Sequence, residues 1–180
     1  MSRYIPVIGL EVHCELKSNS KNFSSSKNSE DFPNTNLSVV DIGYPGILPV
    51  VNKEAVRKSV MVALALNCKI PEYLTFDRKN YYYPDLPKGY QITQFNNPIG
   101  TKGYVMINVD GVEKKITIQD THLEEDTANM QHLSNYSLID YNRAGVPLLE
   151  TVTDPCIGSV KEAITYLETL RNMFLYLDVS

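Results

Sequence analysis

The chain has 180 residues, of which 43% are hydrophobic and 21% are charged, a composition that fits one globular domain and argues against intrinsic disorder. The formal net charge is -4, so the overall basic charge that is typical of a nucleic-acid-binding domain is missing. The longest apolar stretch, residues 60–66, is far shorter than the roughly 20 residues that a membrane-spanning helix needs.

The first predicted element is a β-strand over residues 7–16. Its even positions are apolar, whereas Glu11, His13 and Glu15 occupy odd positions. Alternation with period two is typical of a strand with one buried face, so these three polar side chains are predicted to share the other face. Carboxylate and imidazole groups together suit Mg²⁺, Mn²⁺ or Zn²⁺, although a solvated strand face gives the same pattern.

The next elements are predicted from composition and capping residues. Residues 17–35 are rich in Ser and Asn, which predicts a long surface loop, and residues 37–42 are a short strand candidate. Asn52 is predicted to be the N-cap of a well-buried helix that runs through Leu66. The apolar stripe of this helix is formed by Val56, Val60, Ala63 and Leu64.

A tyrosine-rich strand at residues 81–83 is predicted between basic residues. Arg78 and Lys79 precede it, and Lys88 follows it. Arginine and lysine bind phosphate oxygens, and a tyrosine ring could stack on a base, so this segment is a candidate nucleotide site. The simpler alternative is a strand of strong β propensity followed by a two-proline turn. Neither GxxxxGK[ST] nor GxGxxG occurs, so no P-loop or Rossmann phosphate site is predicted.

Asp110-Gly111 predicts a tight hairpin turn between strands at residues 104–109 and 112–119. The second strand leads into the carboxylates of Glu124, Glu125 and Asp126, which need a cation, a basic side chain or solvent. Unbroken alternation places His122, Glu124 and Asp126 on the face of Ile116 and Ile118 and places Glu125 on an open polar face, whereas a β-bulge would reverse this choice.

The last elements are a further strand pair and a helix. Asp140 and Asn142 are predicted to share a strand face, and Glu150 interrupts an apolar strand, where its carboxylate needs a partner such as a metal ion or Arg143. Ser159 and Glu162 form a capping box. The helix that it opens has an apolar stripe formed by Ala163, Ile164, Leu167, Leu170, Phe174 and Leu177.

Strands with inserted helices predict an α+β or mixed-sheet domain with the helices on one face. The chain stops at Ser180, just past the last helix, which we interpret as a cut inside a domain.

The ordered set of motifs resembles one protein family. The segments are IGLEVHCEL, DIGYPGILPVVNKEAV, FDRKNYYYPDLPKGYQITQF, HLEEDTA and IDYNRAGVPLLE, followed by the closing helix. From about Val7 to Ser180 the chain resembles the amino-terminal part of the B subunit of the bacterial and organellar aspartyl/glutamyl-tRNA(Asn/Gln) amidotransferases. The archaeal relative known as the E subunit is also similar through this region. Each motif alone is weak, but the ordered set is specific.

The resemblance implies a fold and an activity. The fold would be α+β, with a large mixed, mainly antiparallel sheet and helices on one face, as in the cradle of glutamine synthetase and guanido kinases. Residues 1–180 would be the amino-terminal part of that cradle, without its remainder and without the helical and tail domains. Enzymes of the family use ATP and Mg²⁺ to phosphorylate the side-chain carboxylate of Asp or Glu misattached to tRNA, and ammonia then displaces the phosphate.

The resemblance also implies partners and a location. The partners would be the glutaminase of the complex (its A subunit), the small C subunit and misacylated Asp-tRNA(Asn) or Glu-tRNA(Gln), with no membrane involved. The location would be the bacterial cytoplasm or an organelle matrix.

The resemblance further implies roles for individual residues. The metal ligands would be Glu11, His13, Glu124, Glu125 and Glu150. The catalytic residues would be Glu125, Lys79, Lys88 and Arg78, with Lys88 near the arriving ammonia. The nucleotide would be bound by Arg78, Lys79 and Tyr82. These residue types suit phosphoryl transfer, because that reaction needs charge neutralisation and in-line positioning more than a special nucleophile.

Three alternatives stay open. The chain could be a binding or scaffolding module whose charged clusters are solvated, an archaeal-type E subunit, or another ATP-dependent ligase that acts on a free amino acid. Activity without any tRNA would favour the last of these. The isolated segment is expected to be inactive and poorly stable.

Overall fold

The computed structural model describes residues 4–29 and 31–180, and within them the chain forms eight strands and two helices. In chain order these are β1 (Glu11–Glu15), α1 (Lys53–Ala65), β2 (Asp77–Asn80), β3 (Tyr90–Thr93), β4 (Gly100–Val109), β5 (Val112–Glu125), β6 (Asn129–His132), β7 (Ser137–Asp140), β8 (Pro147–Thr153) and α2 (Val160–Tyr176). The predicted α+β class is confirmed. Neither helix in this part of the chain has the length and apolar character that crossing a membrane requires.

The main sheet has four strands in the order β1-β8-β5-β4, and each neighbouring pair is antiparallel. Strands β2 and β3 form one small antiparallel sheet, and β6 and β7 form another. The predicted mainly antiparallel pairing is confirmed, but the described residues form one four-stranded antiparallel sheet and two small ones rather than one large mixed sheet.

The two faces of the main sheet differ in polarity. Cys14, Leu123 and Leu149 lie on the face that joins the apolar core. Both helices pack against this face, α1 with Ala55, Val62 and Ala63 and α2 with Tyr166, Leu170 and Phe174. The prediction that the helices lie on one face is thus confirmed, and the polar side chains of β1, β8 and β5 are left on the opposite face.

The β4–β5 hairpin forms at the predicted position. Asp110 and Gly111 have φ values of +54° and +83°, and positive φ at both central residues is what a type I′ turn requires. The residue pair next to the turn is Val109 opposite Val112. Both strands extend further than predicted, because their outer ends pair with each other and β5 also pairs with β8.

Both predicted helix N-caps are confirmed. The Asn52 side chain accepts hydrogen bonds from the amides of Glu54 and Ala55 at 2.9 and 3.3 Å. Ser159 accepts one from the Glu162 amide at 3.2 Å. The Glu162 carboxylate, however, accepts the amide of Gly158, one residue before the cap, at 2.7 Å.

The buried stripes of the helices differ from the predicted ones. In α1, Leu64 is 60% exposed, and Ser59 and Val62 are buried instead. In α2, Ile164 is 51% exposed and Tyr166 is buried. Each helix is thus rotated slightly from its most apolar face, since the sheet beneath it decides which residues are covered.

Two predictions in the first loop region are wrong. Residues 37–42 form turns rather than a strand, because the Asp41 carboxylate accepts the amide of Ser38 at 2.7 Å and such local bonds compete with strand pairing. Residues 17–35 are not a surface loop throughout, because Lys21 and Phe23 are buried.

Other strand boundaries also differ from the predicted ones. Strand β1 is shorter than residues 7–16, and Ile8 forms only an isolated bridge with Ile157. The tyrosine-rich segment 81–83 lies outside any strand, because β2 ends at Asn80. Asn142 does not share a strand face with Asp140; it lies in the turn after β7, where its amide donates to the Asp140 carboxylate at 3.0 Å.

Candidate active site

Three polar side chains form a row across strands β1, β8 and β5. The register places His13 opposite Glu150, and Glu150 opposite His122. The Nε2 atom of His13 lies 2.9 Å from Oε2 of Glu150, and Nε2 of His122 lies 3.5 Å from the same oxygen. Glu150 is therefore held between two imidazole rings. These rings, rather than Arg143, are its partners, since the Arg143 guanidinium donates to backbone carbonyls.

Glu124 adds a second carboxylate to this row. Its Oε1 lies 3.9 Å from Nε2 of His13, and its Oε2 lies 3.8 Å from Nε2 of His122. The Thr93 hydroxyl also donates to Oε2 at 3.1 Å. One ligand atom from each of His13, Glu124 and Glu150 falls within 4.8 Å of the others. Two carboxylates and an imidazole at this spacing fit a divalent cation.

The charges of the row are strongly coupled. The hydrogen bond from His122 lowers the pKa of Glu150 to about 2. Burial disfavours the charged form of His122, but its hydrogen bonds with Asp120 and Glu150 outweigh burial and raise its pKa to about 9. Burial raises the pKa of Glu124, and the charge of Glu150 raises it further. A bound cation would offset the negative charge of both carboxylates and would compete with the proton on His122.

A β-bulge in β5 brings His122 and Glu124 to the open face. The register between β5 and β8 shifts between Ile118 and Asp120, so Ile118 and Leu123 both reach the apolar core. The expectation from unbroken alternation, that Glu125 lies on an open polar face, is wrong. The bulged alternative is correct.

Glu125 forms a buried ion pair with Lys88. The Lys88 ammonium donates to both oxygens of the Glu125 carboxylate, and the Ile92 amide donates to Oε1 at 2.9 Å. Burial raises the pKa of Glu125, while the Lys88 charge and the hydrogen bonds oppose that rise. The structure thus brings two predicted catalytic residues together, but it separates the Glu125 side chain from the group formed by His13, Glu124 and Glu150.

The row forms the floor of a cavity of about 750 Å³. Glu11 and Lys79 also line this cavity. The Arg78 guanidinium instead lies 4.0 Å from the centre of the Tyr90 ring, on which it stacks. Tyr82 is 89% exposed. Of the predicted nucleotide-binding residues, Lys79 therefore reaches the cavity directly.

Alternation assigns His122 to the wrong face of its strand, and Asp120 is not identified from the sequence. Nδ1 of His122 lies 2.8 Å from Oδ1 of Asp120, an arrangement in which an outer carboxylate orients a histidine ring. Asp120 and His122 are two residues apart on β5, so their side chains are expected on the same face, and this spacing could have indicated the pair. It pointed to the wrong face, however, because the bulge cannot be read from alternation alone.

The sequence of the chain matches a known protein family. The family model described as the GatB/GatE catalytic domain matches residues 6–180. A Halalkalibacterium halodurans protein, named as the B subunit of aspartyl/glutamyl-tRNA(Asn/Gln) amidotransferase, is 54% identical over 176 residues, which is 97% of this chain and 37% of that protein. Proteins of the same name from Bacillus thuringiensis and Bacillus cereus are each 53% identical over 175 residues. The chain spans 37% of the length of each of these relatives.

Proposed function

Because the chain belongs to the GatB/GatE catalytic domain family, we propose that it activates the side-chain carboxylate of an Asp or Glu residue misattached to tRNA. The whole protein would be the B subunit of a glutamine-dependent amidotransferase, working with a glutaminase (the A subunit) and a small C subunit. The observation that carries this proposal is the convergence of His13, Glu124 and Glu150 in one cavity.

The proposed reaction has two steps. An oxygen of the substrate carboxylate attacks the γ-phosphorus of ATP, and ADP leaves. Ammonia released from glutamine then attacks the acyl carbon, so the carbon–oxygen bond breaks, phosphate departs and the nitrogen loses a proton. The products are Asn-tRNA(Asn) or Gln-tRNA(Gln). Both steps depend on positioning and charge neutralisation.

The residues of the row would hold the cation. His13, Glu124 and Glu150 supply its ligand atoms, and Asp120 orients the ring of His122 beside them. Glu11, which lines the same cavity, is a proposed further ligand. When bound, Mg²⁺ would neutralise and orient the phosphate oxygens.

The basic residues would act on the nucleotide. Lys79 lines the cavity together with the acidic row, so its ammonium can offset negative charge on the transferred phosphoryl group. Arg78 and Tyr82 are proposed to contact the nucleotide from the same segment. The Arg78 guanidinium stacks on Tyr90 on the opposite face of β2 from Lys79, because successive side chains of a strand point to opposite faces.

The Lys88–Glu125 pair would serve the amidation step. The Glu125 carboxylate would accept the proton that the nitrogen loses, and Lys88 would keep that carboxylate in place through its two hydrogen bonds. A buried base is suited to this task, because burial raises the pKa of its carboxyl group.

The proposal is tested with Glu150→Gln in a full-length family subunit that carries this sequence, assembled with its partner subunits. We expect loss of the ATP hydrolysis that depends on misacylated tRNA, while binding of the glutaminase subunit is retained. Glu113→Gln, an exposed residue at the far end of β5, is the control and is expected to leave hydrolysis intact. Unchanged hydrolysis in Glu150→Gln would support a binding module instead, and amidation of a free amino acid would support another ligase.

A further inference from the structure

The backbone of Gly43 packs closely against the aliphatic part of the Lys88 side chain. Its φ is +70°, a left-handed value that favours glycine. A Cβ atom on residue 43 would lie 2.9 Å from Cγ, 3.1 Å from Cβ and 3.2 Å from Cα of Lys88. These atoms belong to the backbone and the base of the side chain, so Lys88 cannot make room by rotating its far end. Any side chain at position 43 must therefore move Lys88 itself.

The turn that carries Gly43 is fixed by Asp41. This carboxylate is 5% exposed, and it accepts hydrogen bonds from the hydroxyl of Ser24 at 2.7 Å and the amide of Ser38 at 2.7 Å. The Ser26 hydroxyl donates to it as well. Asp41 thus ties the turn that carries Gly43 to a second segment of the chain.

Gly145 allows the Asp41 network to approach the ion pair. Its φ is +89°, and a Cβ atom there would lie 3.3 Å from Oδ1 of Asp41 and 3.9 Å from Oε2 of Glu125. The Asp41 turn and the Glu125 carboxylate are therefore separated by the width of one glycine.

We infer that Gly43, fixed by Asp41, is a positioning residue that keeps the Lys88 ammonium on the Glu125 carboxylate. The Gly43 backbone packs against the base of the Lys88 side chain. The Lys88 ammonium binds the Glu125 carboxylate, and its Nζ atom lies 5.2 Å from the centre of the Tyr90 ring. The inference rests on the proposed function, because it matters for amidation only if the ion pair acts in that step. According to this inference, amidation also depends on the loop that carries Gly43, which lies outside the cavity.

The chain offers a matched control for this inference. Gly46 lies in the same loop with a φ of +84°, but a Cβ atom there would meet nothing within 4 Å. Gly43→Ala and Gly46→Ala therefore impose similar backbone strain, and only Gly43→Ala also presses on Lys88. The difference between the two variants isolates that contact.

The test uses these variants in the full-length protein, assembled with its partners, and in a Lys88→Ala/Glu125→Gln background. That background removes the nearest atom, Lys88 Cγ, without leaving a buried carboxylate unpaired. We expect Gly43→Ala to lower Tm more than Gly46→Ala, and we expect this excess to shrink in the background. Equal effects of the two variants in both backgrounds would overturn the inference.

The functional readout is amidation of misacylated tRNA with ammonium chloride as nitrogen donor. We expect Gly43→Ala to reduce kcat at least about tenfold, because displacing a reacting group by about 1 Å can cost about 100-fold, while Gly46→Ala has little effect. If the background variant loses amidation but Gly43→Ala keeps it, the positioning inference is wrong. If the background variant keeps amidation while the Tm excess is present, the positioning stands and the proposed role of the pair in amidation fails.

Discussion

The Nδ1 atom of His122 lies 2.8 Å from the Oδ1 atom of Asp120. This contact exists because a bulge between Ile118 and Asp120 turns both side chains toward the open face of the sheet. The other ring nitrogen of His122 is thereby directed at Glu150. An outer carboxylate of this kind fixes the orientation of a histidine at a metal site.

The first prediction concerns this contact. Asp120→Asn is expected to weaken Mn²⁺ binding by about 10-fold, the lower end of the range for losing an outer partner of a metal site, while the fold is retained. The effect is at the lower end because Asp120 acts on the proposed ligand Glu150 only through His122. Isothermal titration calorimetry measures the affinity. Asp110→Asn, in the exposed hairpin turn, is the control and should bind as the wild type does. An unaltered affinity in Asp120→Asn would show that Asp120 does not support a metal site.

A second prediction concerns the packing on β4 of the segment that follows α1. A Cβ atom on Gly103 would lie 2.4 Å from Sγ of Cys68 and 2.5 Å from the carbonyl oxygen of Leu66. Gly103→Ala is therefore expected to destabilise the protein by about 1–3 kcal/mol, as overpacking does. Gly9→Ala is the control, since its nearest neighbour would be 3.6 Å away. Equal Tm values for the two variants would contradict this packing.

The buried ion pair gives a third prediction. Lys88→Met leaves the Glu125 carboxylate buried without its cation, and breaking a buried pair in this way costs about 3–5 kcal/mol. Lys88→Met/Glu125→Gln should recover part of this loss, because no buried charge is left unpaired. Thermal unfolding of both variants provides the measurement. A double variant less stable than Lys88→Met would argue against a charged pair.

The fourth prediction is a pH dependence at the start of α2. The hydrogen bond from Lys114 lowers the pKa of Glu162, so the charged carboxylate stabilises the folded state. This contribution is fully present above the unfolded-state pKa of about 4.3 and is lost as the pH falls through the lower folded-state pKa.

The difference in Tm between the wild type and Glu162→Gln should therefore be largest near neutral pH and should shrink in acid. Glu168→Gln, at an exposed position of the same helix, should show no such trend. If the Tm difference between the wild type and Glu162→Gln grew as the pH fell, the assigned direction of the Glu162 pKa shift would be wrong.

Local signals predicted the local structure correctly. The Asn52 cap and the Asp110-Gly111 turn depend on hydrogen bonds and dihedral angles within a few residues, so the sequence contains their full cause. The strand predicted at residues 37–42 failed because a local bond from the Ser38 amide to the Asp41 carboxylate acts together with a more distant one. Its backbone is bent around Asp41, whose partners include Ser24, far away in the sequence.

The candidate site was also predicted only in part. Resemblance to a family supplied His13, Glu124 and Glu150, which the structure brings together. Asp120 was not identified and His122 was assigned to the wrong face, because their placement depends on the register between β5 and β8. That register is set by pairing between distant segments, which alternation along one strand cannot reveal.

The central claim is that the substrate carboxylate is activated by phosphorylation at this site, and isotope transfer tests it most directly. Misacylated tRNA whose side-chain carboxylate carries oxygen-18 is incubated with the full-length complex, ATP, Mg²⁺ and ammonium chloride, and the phosphate is analysed by mass spectrometry. The account predicts that the released phosphate contains oxygen-18 from the carboxylate, and that Glu150→Gln abolishes this transfer. Amidation that releases only unlabelled phosphate would contradict it.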